Sequence, residues 1–511
     1  MKTIRTLFIG FLVCYIGINL FYLDKYPLIW WDDVHSTELS WSLIKYGDFS
    51  SRLCNPDFGF EKTHVVYGRL YSTANAVSIK LLGLGPFQAR LFPFISGLLL
   101  LFFVFKISKR ILSEKTALLS VFLLSLSYIF IVRSHMARPD IVVSMFIFMT
   151  IYLFLVSFEK QSAPLFLLTG FVSALTVDIH PPGVVAIFAL FTLLLLHFKK
   201  ISKLNVLLAL TGIGLGGVWW LLWHVAPDTA TFFYQWKNYW LWEKPPLAEK
   251  NVFIMIANET KRYYSFFWEG RFHRNLILAV PILISFVHLS IKSNPGRKLL
   301  LLTLAGCLFC FTFVVPSKTD FYLIFIFPFF IILASESILT FIEQSNKHLK
   351  YLGFISLTAI LFLISVEDIY ILKNFRQADY KGFIKQLKNY IPDDGQPVMG
   401  QPTYWFGFIK DRQYFTDYFG YYRYYNPKED MVIQSRTFTD VVRKNKVKYI
   451  IVDDGFFYWN QGQLKSNIKP FLKTNCELTG TIEDRYFGPG YFAFLKQSKC
   501  ITKIYEVQSY K

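Results

Sequence analysis

The chain has little cysteine, no internal repeat and no low-complexity stretch, and each of these gaps removes a class of protein. Six cysteines in 511 residues are too few for a disulfide framework. Cys14, Cys307 and Cys310 fall inside apolar runs, where a thiol serves as a small hydrophobe. Cys307 and Cys310 have a CxxC spacing but no further ligands nearby, which argues against a metal or redox centre. Cys476 and Cys500 lie in the tail and could pair if the tail is extracytoplasmic. There is no Walker loop, no GxGxxG at a strand-to-helix turn and no HExxH. Nothing therefore points to a nucleotide or to a zinc metalloprotease.

What the chain has in abundance is apolar and aromatic side chains: 53% hydrophobic and 19% aromatic, with a mean hydropathy of +0.37. Several windows of about eighteen apolar residues carry almost no charge, so the expected class is a polytopic α-helical membrane protein. About eleven spans are expected: 5–22, 89–107, 116–132, 141–158, 163–180, 183–198, 204–224, 276–291, 299–316, 321–342 and 351–372. No small-residue cleavage site follows the first, so it reads as a span and not a removed signal.

The net charge of +19 invites a nucleic-acid reading. The basic residues instead sit in short loops on alternate sides of the spans, which is the positive-inside pattern. Lys2 and Arg5 place the amino terminus in the cytoplasm. Lys106, Lys109, Arg110 and Lys115 mark one cytoplasmic loop, Lys199, Lys200 and Lys203 a second, and Lys292, Arg297 and Lys298 a third. An odd span count sends the carboxyl terminus outside. Residues 1–372 then form a transmembrane domain with extracytoplasmic loops at 23–88 and 225–275. The second loop is rich in Trp, Tyr and Phe, as interfacial amphipathic segments are. Residues 373–511 read as a small extracytoplasmic α/β domain. "YKGFIKQLKNYI" has helical spacing, Pro392–Gly395 a turn, and "KYIIVDD" and "GYFAFLK" the look of buried strands.

Chemistry-bearing residues gather at the span ends of one side. Asp32 and Asp33, in "PLIWWDDVHSTELSWSLIKYGDF", follow the first span directly. "FGFEKTH" supplies Glu61, Lys62 and His64 in the same loop, and "RSHMARPD" supplies Arg133, Arg138 and Asp140 before the fourth span. A carboxylate near hydrocarbon costs ~2.5–3.5 kcal/mol at the bilayer centre and less towards its edge, so Asp140 is expected to face a polar cavity or a cation. A carboxylate can take the proton of an incoming hydroxyl, and cations can stabilise a departing phosphate. The inventory suits a transfer from a phosphate-linked donor. Asp178 and His180 precede Pro181 and Pro182, where a proline-made hairpin is the plain reading and a site-lining role the alternative. Lys318 and Tyr322 open the tenth span in "PSKTDFY", with Lys318 either at a donor phosphate or snorkelling. Arg271 and His273 emerge on the same side, and Asn258-Glu-Thr260 fits a glycosylation acceptor.

In order, an acidic pair, "GDF", "FEKTH", "ARLFPFISG" and "ARPD" resemble the C-type membrane glycosyltransferases, specifically the protein O-mannosyltransferase and lipid A aminoarabinose transferase branch. "WDDVHS" is similar to the Asp-Glu-Val-His of the mannosyltransferases. The resemblance implies an inverting sugar transfer from a polyprenyl-phosphate donor to a lipid, glycan or protein acceptor outside the cytoplasm. It implies Asp32 as catalytic base, with Asp33 where the family has Glu, and Lys62 near the donor phosphate beside Glu61. It likewise implies Asp140 as the acid opening the fourth span, and Lys318 and Tyr322 at the tenth. Thr63-His64 replaces the family's Pro-Pro, giving His64 a possible donor or acceptor contact. No cofactor is assigned; a divalent metal stays open. Small appended domains suggest a bacterial inner membrane. The rival reading is a transporter or flippase of a lipid-linked saccharide, which would be expected to show repeats and mid-membrane polar groups.

Overall fold

The computed structural model describes residues 2–53, 60–64, 68–237, 251–264, 294–315, 320–416, 438–453, 455–456, 463–487 and 500–510. It is mostly helical. Among the described residues, seven helices are long and apolar enough to cross a membrane: Arg5–Tyr22, Pro86–Ile111, Asp140–Lys160, Pro181–Lys200, Lys203–Val225, Pro295–Phe313 and the helix beginning at Lys347. The chain is an integral membrane protein.

In chain order the first helices are α1 (Lys2–Tyr22), α2 (Trp31–Tyr46), α3 (Arg69–Leu82), α4 (Pro86–Ile111), α5 (Glu114–Leu126), α6 (Tyr128–Ser134) and α7 (Asp140–Lys160). Then come α8 (Ala163–Ile179), α9 (Val185–His197), α10 (Lys203–Trp220), α11 (Thr229–Gln235), α12 (Val252–Tyr264), α13 (Pro295–Phe313), α14 (Phe327–Ile342) and α15 (Lys347–Phe375). Two expected spans are shorter apolar helices, Ala163–Ile179 and Phe327–Ile342. The expected segment 276–291 lies outside the described residues.

The expected straight span at 116–132 is instead broken, with α5 and α6 meeting at 66°. Ser127 at the break is extended, at φ −71° and ψ 135°. The hydroxyls of Ser125 and Ser127 donate back to the carbonyls of Phe122 and Leu124, at 2.9 and 2.7 Å, competing with the helix ladder as serine does. The bend turns Arg133–Asp140 inward against α2. At the other side of the bundle α8 and α10 touch backbone to backbone. A Cβ on Gly170 would overlap the Ala209 carbonyl, and one on Gly212 would overlap that of Leu167, so only glycine permits this approach.

The carboxyl-terminal region contributes α16 (Tyr380–Lys388), α17 (Phe438–Lys444), α18 (Gln463–Asn475) and a five-stranded mixed sheet. Its strands are β1 (Val398–Met399), β2 (Tyr414–Phe415), β3 (Tyr449–Val452), β4 (Cys476–Asp484) and β5 (Cys500–Val507), in the order β2-β1-β3-β5-β4. β1 runs parallel to β2 and β3, and β5 antiparallel to β3 and β4. The helix and β3 expected from "YKGFIKQLKNYI" and "KYIIVDD" are present; "GYFAFLK" lies outside the described residues. Cys476 pairs with Val507 and Cys500 with Asp484, so the two cysteines stand at opposite ends of one ladder. Seven residues of strand separate them, about 23 Å, far beyond the ~7 Å limit for a disulfide. The two do not pair with each other, which corrects the expected option of pairing.

This region packs directly on the first loop. Leu28, Ile29 and Leu53 share one buried cluster with Tyr380, Phe383 and Trp405. The Trp31 indole donates to Gln401 at 3.1 Å, the Thr416 amide to the Leu53 carbonyl at 2.9 Å, and Tyr22 to the Leu372 carbonyl at 2.8 Å.

Candidate active site

The acidic pair opens α2, and its two members face different ways. Asp33 is 1% exposed and bound on both oxygens. Arg90, from α4, donates to it at 2.9 and 3.1 Å, while the amides of Trp30 and Ala137 donate at 2.8 and 2.6 Å. Arg90 is itself wholly buried and also donates to the carbonyls of Pro27, Leu23 and Leu28. Buried charges persist when every lone pair and proton is used in this way. The pair ties the first loop, α4 and the 135–139 turn together.

Asp32 remains 32% exposed. Its Oδ2 accepts from the Trp30 indole at 2.9 Å and from Arg138, while its Oδ1 makes no hydrogen bond among the described residues. Arg138 also donates to Asp140 at 2.6 Å and lies 4.0 Å from the Phe321 ring centroid, with Arg133 at 3.9 Å from the same ring. Burial alone would lower the Arg138 guanidinium; the carboxylates of Asp140 and Asp32 outweigh it and hold it above its ordinary value. Asp140 is 1% exposed, and its Oδ1 has no hydrogen-bond partner among the described residues. The Tyr322 ring stacks on Phe325 and meets His180 edge-on at 5.5 Å. Asp32, Arg138, Asp140 and Tyr322 are thus brought to one place from α2, the 135–139 turn, α7 and the Asp320–Phe325 turn.

The "FEKTH" segment forms a second wall. Lys62 is exposed and makes no ion pair among the described residues, and one buried oxygen of Glu61 has no hydrogen-bond partner there. The Thr63 carbonyl accepts from Gln235 at 2.7 Å, and its hydroxyl from Arg69 at 3.1 Å. His64 is 7% exposed and stacked on Phe60 at 4.3 Å. Burial, helped by His35, Arg69 and His224, pushes its imidazole down to about 3. His35, one turn along α2 from Asp32, is lowered chiefly by burial and feels both Asp32 and His64; the two walls meet there.

Some participants carried no sequence signal. His224 lies in the apolar run "WWLLWHV", and a π-helical turn, Leu221–Val225, carries it onto Asp178 at 2.6 Å. The Trp219 indole donates to the same carboxylate at 3.1 Å. Asp178 is therefore the partner of α10, beyond the hairpin cap expected of it; π-turns of this kind gather at functional sites. Arg90 stands within the quoted "ARLFPFISG", but its pairing with Asp33 depends on a contact 57 residues away. Lys318, Arg271 and His273 lie outside the described residues. Among the described residues no three His, Cys, Asp or Glu side chains converge as metal ligands.

Residues 71–223 match the family described as dolichyl-phosphate-mannose-protein mannosyltransferase. A protein of Aquifex aeolicus, described only as uncharacterized, is 24% identical over 381 residues, 72% of this chain and 69% of that one. The crystal structure of ArnT from Cupriavidus metallidurans bound to undecaprenyl phosphate superposes with a TM-score of 0.56 at 13% identity, covering 97% of this chain and 98% of that chain. The oligosaccharyltransferase AglB of Archaeoglobus fulgidus, in complex with an inhibitory peptide and a dolichol-phosphate, gives 0.52 at 10% identity, covering 90% and 72%. The resemblance read from the loop motifs is borne out: part of the chain matches the mannosyltransferase family, and the chain shares the fold of ArnT and AglB. The matched stretch begins beyond Asp32 and Lys62.

Proposed function

We propose that the chain is a membrane glycosyltransferase that moves a sugar from a polyprenyl-phosphate donor to an acceptor hydroxyl, with inversion and Asp32 as general base. The carrying observation is the division of labour at the start of α2. Asp33 is enclosed and fully bonded, whereas Asp32 keeps one oxygen anchored and the other open. In the step proposed, the acceptor oxygen bonds to the anomeric carbon as that carbon's bond to the phosphate oxygen breaks. The acceptor proton goes to Asp32 Oδ1, and the polyprenyl phosphate departs with the bonding pair. General-base assistance of this kind contributes roughly 10²–10⁴-fold.

Arg138 positions Asp32 and Asp140 together, and the buried Asp140 Oδ1, without a hydrogen-bond partner among the described residues, can accept from a hydroxyl of the sugar or acceptor. Lys62, exposed and without an ion pair among the described residues, suits the donor phosphate, with Lys318 and Tyr322 as further donor contacts. Asp33 becomes a positioning residue and His64 part of the wall. The undecaprenyl and dolichol phosphates named for ArnT and AglB support the donor class. The topology that fits has eleven crossings, the eighth at 276–291, in a bacterial inner membrane. Its amino terminus is cytoplasmic, and residues 373–511 form an α/β domain over the extracytoplasmic site.

Purified protein given radiolabelled polyprenyl-phosphate sugars and cell-envelope acceptors should transfer label, and Asp32→Asn should reduce transfer at least ~10²-fold while folding normally. Unchanged transfer in Asp32→Asn would remove the base assignment. No transfer, but protein-dependent movement of the labelled lipid across a liposome membrane, would make the protein a flippase.

A further inference from the structure

Away from Asp32, helices α1, α6 and α15 enclose an apolar groove of about 220 Å³. It lies on the membrane-spanning helices, near the end of the bundle that carries the acidic pair. Apolar walls are what lipid-facing helices present, but this lining also carries polar groups. Asn19 and Tyr22 donate to the carbonyls of Tyr15 and Leu372 at 2.8 Å each, and three further groups matter here. Tyr15 is 4% exposed, and its hydroxyl has no hydrogen-bond partner among the described residues. Asp368, seven residues or about 10 Å before the end of α15, makes no ion pair among the described residues. A carboxylate at membrane depth is costly and in general marks a functional contact.

His135 is the third. Its Nδ1 lies 2.9 Å from the Tyr26 carbonyl. A carbonyl only accepts, so Nδ1 carries the proton and Nε2 presents a lone pair. That Nε2 is buried without a hydrogen-bond partner among the described residues. Burial lowers the imidazole to about 4, which keeps this tautomer neutral at ordinary pH.

Two of these three groups, Asp368 and His135, therefore offer acceptors, and the Tyr15 hydroxyl can both donate and accept. A phosphate headgroup, which also only accepts and carries negative charge, is the wrong ligand for Asp368 and His135. The volume equals about seven water volumes, room for a segment of one chain. We propose that this groove binds one chain of a membrane lipid that carries a hydroxyl or amide N–H near its chain attachments, an N-acyl or hydroxyacyl lipid. The donor group meets Asp368 and His135, and the hydrocarbon lies between α1 and α15. The proposal is independent of the transferase reading.

The test places the full-length protein in phospholipid nanodiscs with a ceramide bearing a diazirine on its chain, which has both an amide and a hydroxyl. A chain-matched diazirine phosphatidic acid is the comparison. Ceramide adducts are expected on peptides of α1 and α15, competed by unlabelled ceramide and at least tenfold above phosphatidic acid. Asp368→Leu should lose them and Asp368→Asn, whose amide oxygen still accepts, should keep them. Tyr15→Phe should weaken them several-fold, and thermal unfolding checks that each variant folds. Equal labelling by phosphatidic acid, undiminished labelling of Asp368→Leu, or equal loss in both Asp368 variants would overturn the proposal.

Discussion

At the scale of single residues, two adjacent carboxylates acquire different circumstances because neighbours on a helix point roughly 100° apart. Asp33 turns towards Arg90 and the Ala137 amide, Asp32 towards Arg138 and solvent. Breaking a buried pair strands a charge and costs roughly 3–5 kcal/mol. Arg90→Met should therefore lower the thermal midpoint of the detergent-solubilised protein by many degrees, while Asp32→Asn leaves the midpoint within a degree or two and removes transfer. Glu38 offers a pH test. It accepts from the Ser51 hydroxyl and the amides of Arg52 and Leu53, each at 2.6 Å, yet burial raises its carboxyl to about 7. The folded state then holds the proton more tightly than the unfolded chain, whose carboxyl titrates near 4.5. Its contribution is most favourable below about pH 4.5 and is lost as pH rises through 7, by up to roughly 3 kcal/mol. The buried His64 acts oppositely in acid, so the readout is a difference. Glu38→Gln should gain stability relative to the parent between pH 5 and pH 8, and a constant difference across that range would refute the assignment.

At the scale of elements, local chemistry decides where helices break and how closely they cross. The serines at 125 and 127 and the π-turn at Leu221–Val225 both interrupt apolar runs that hydropathy reads as continuous, and each interruption delivers a polar side chain to the site face. The α8–α10 seam relies on small residues, because helices in lipid gain little from hydrophobic burial and associate through close packing. Gly170→Leu or Gly212→Leu should abolish folded yield, measured as monodisperse protein by size exclusion. Gly214→Leu, where an added Cβ meets nothing within 4 Å, should leave it unchanged. Equal yields from all three would show that the seam is not packed as described.

For the whole molecule, the docking of the carboxyl-terminal sheet on the first loop is the main long-range event. Trp31 with Gln401 and Leu53 with Thr416 join chain segments some 370 residues apart in the first case. The proposed topology then has a direct check. With Cys476 replaced by serine, Tyr510→Cys should react with a membrane-impermeant maleimide in intact spheroplasts, and Lys199→Cys only after lysis. The reverse pattern would invert the protein in the membrane and move the site to the cytoplasmic face.

The class, the apolar helices, the β3 strand and the gathering of acids and bases at span ends were legible in the chain, because they depend on composition and local period. So was the family likeness, carried by the order of the acidic pair, "FEKTH" and "ARPD". Three other features needed the fold: which of Asp32 and Asp33 stays open, the burial of His64 against Phe60, and the meeting of His224 with Asp178. The first and third turn on contacts between residues far apart in sequence; His64 stacks on a residue four positions away, but Gln235 holds its neighbour Thr63 from 172 residues on. Their geometry is set by a bent span, a π-turn and a backbone-to-backbone helix crossing, and none of these has a periodic signature. Sequence alone thus determined which residues are costly to place in a membrane; tertiary structure decided which of them are neutralised by partners and which remain available to a substrate.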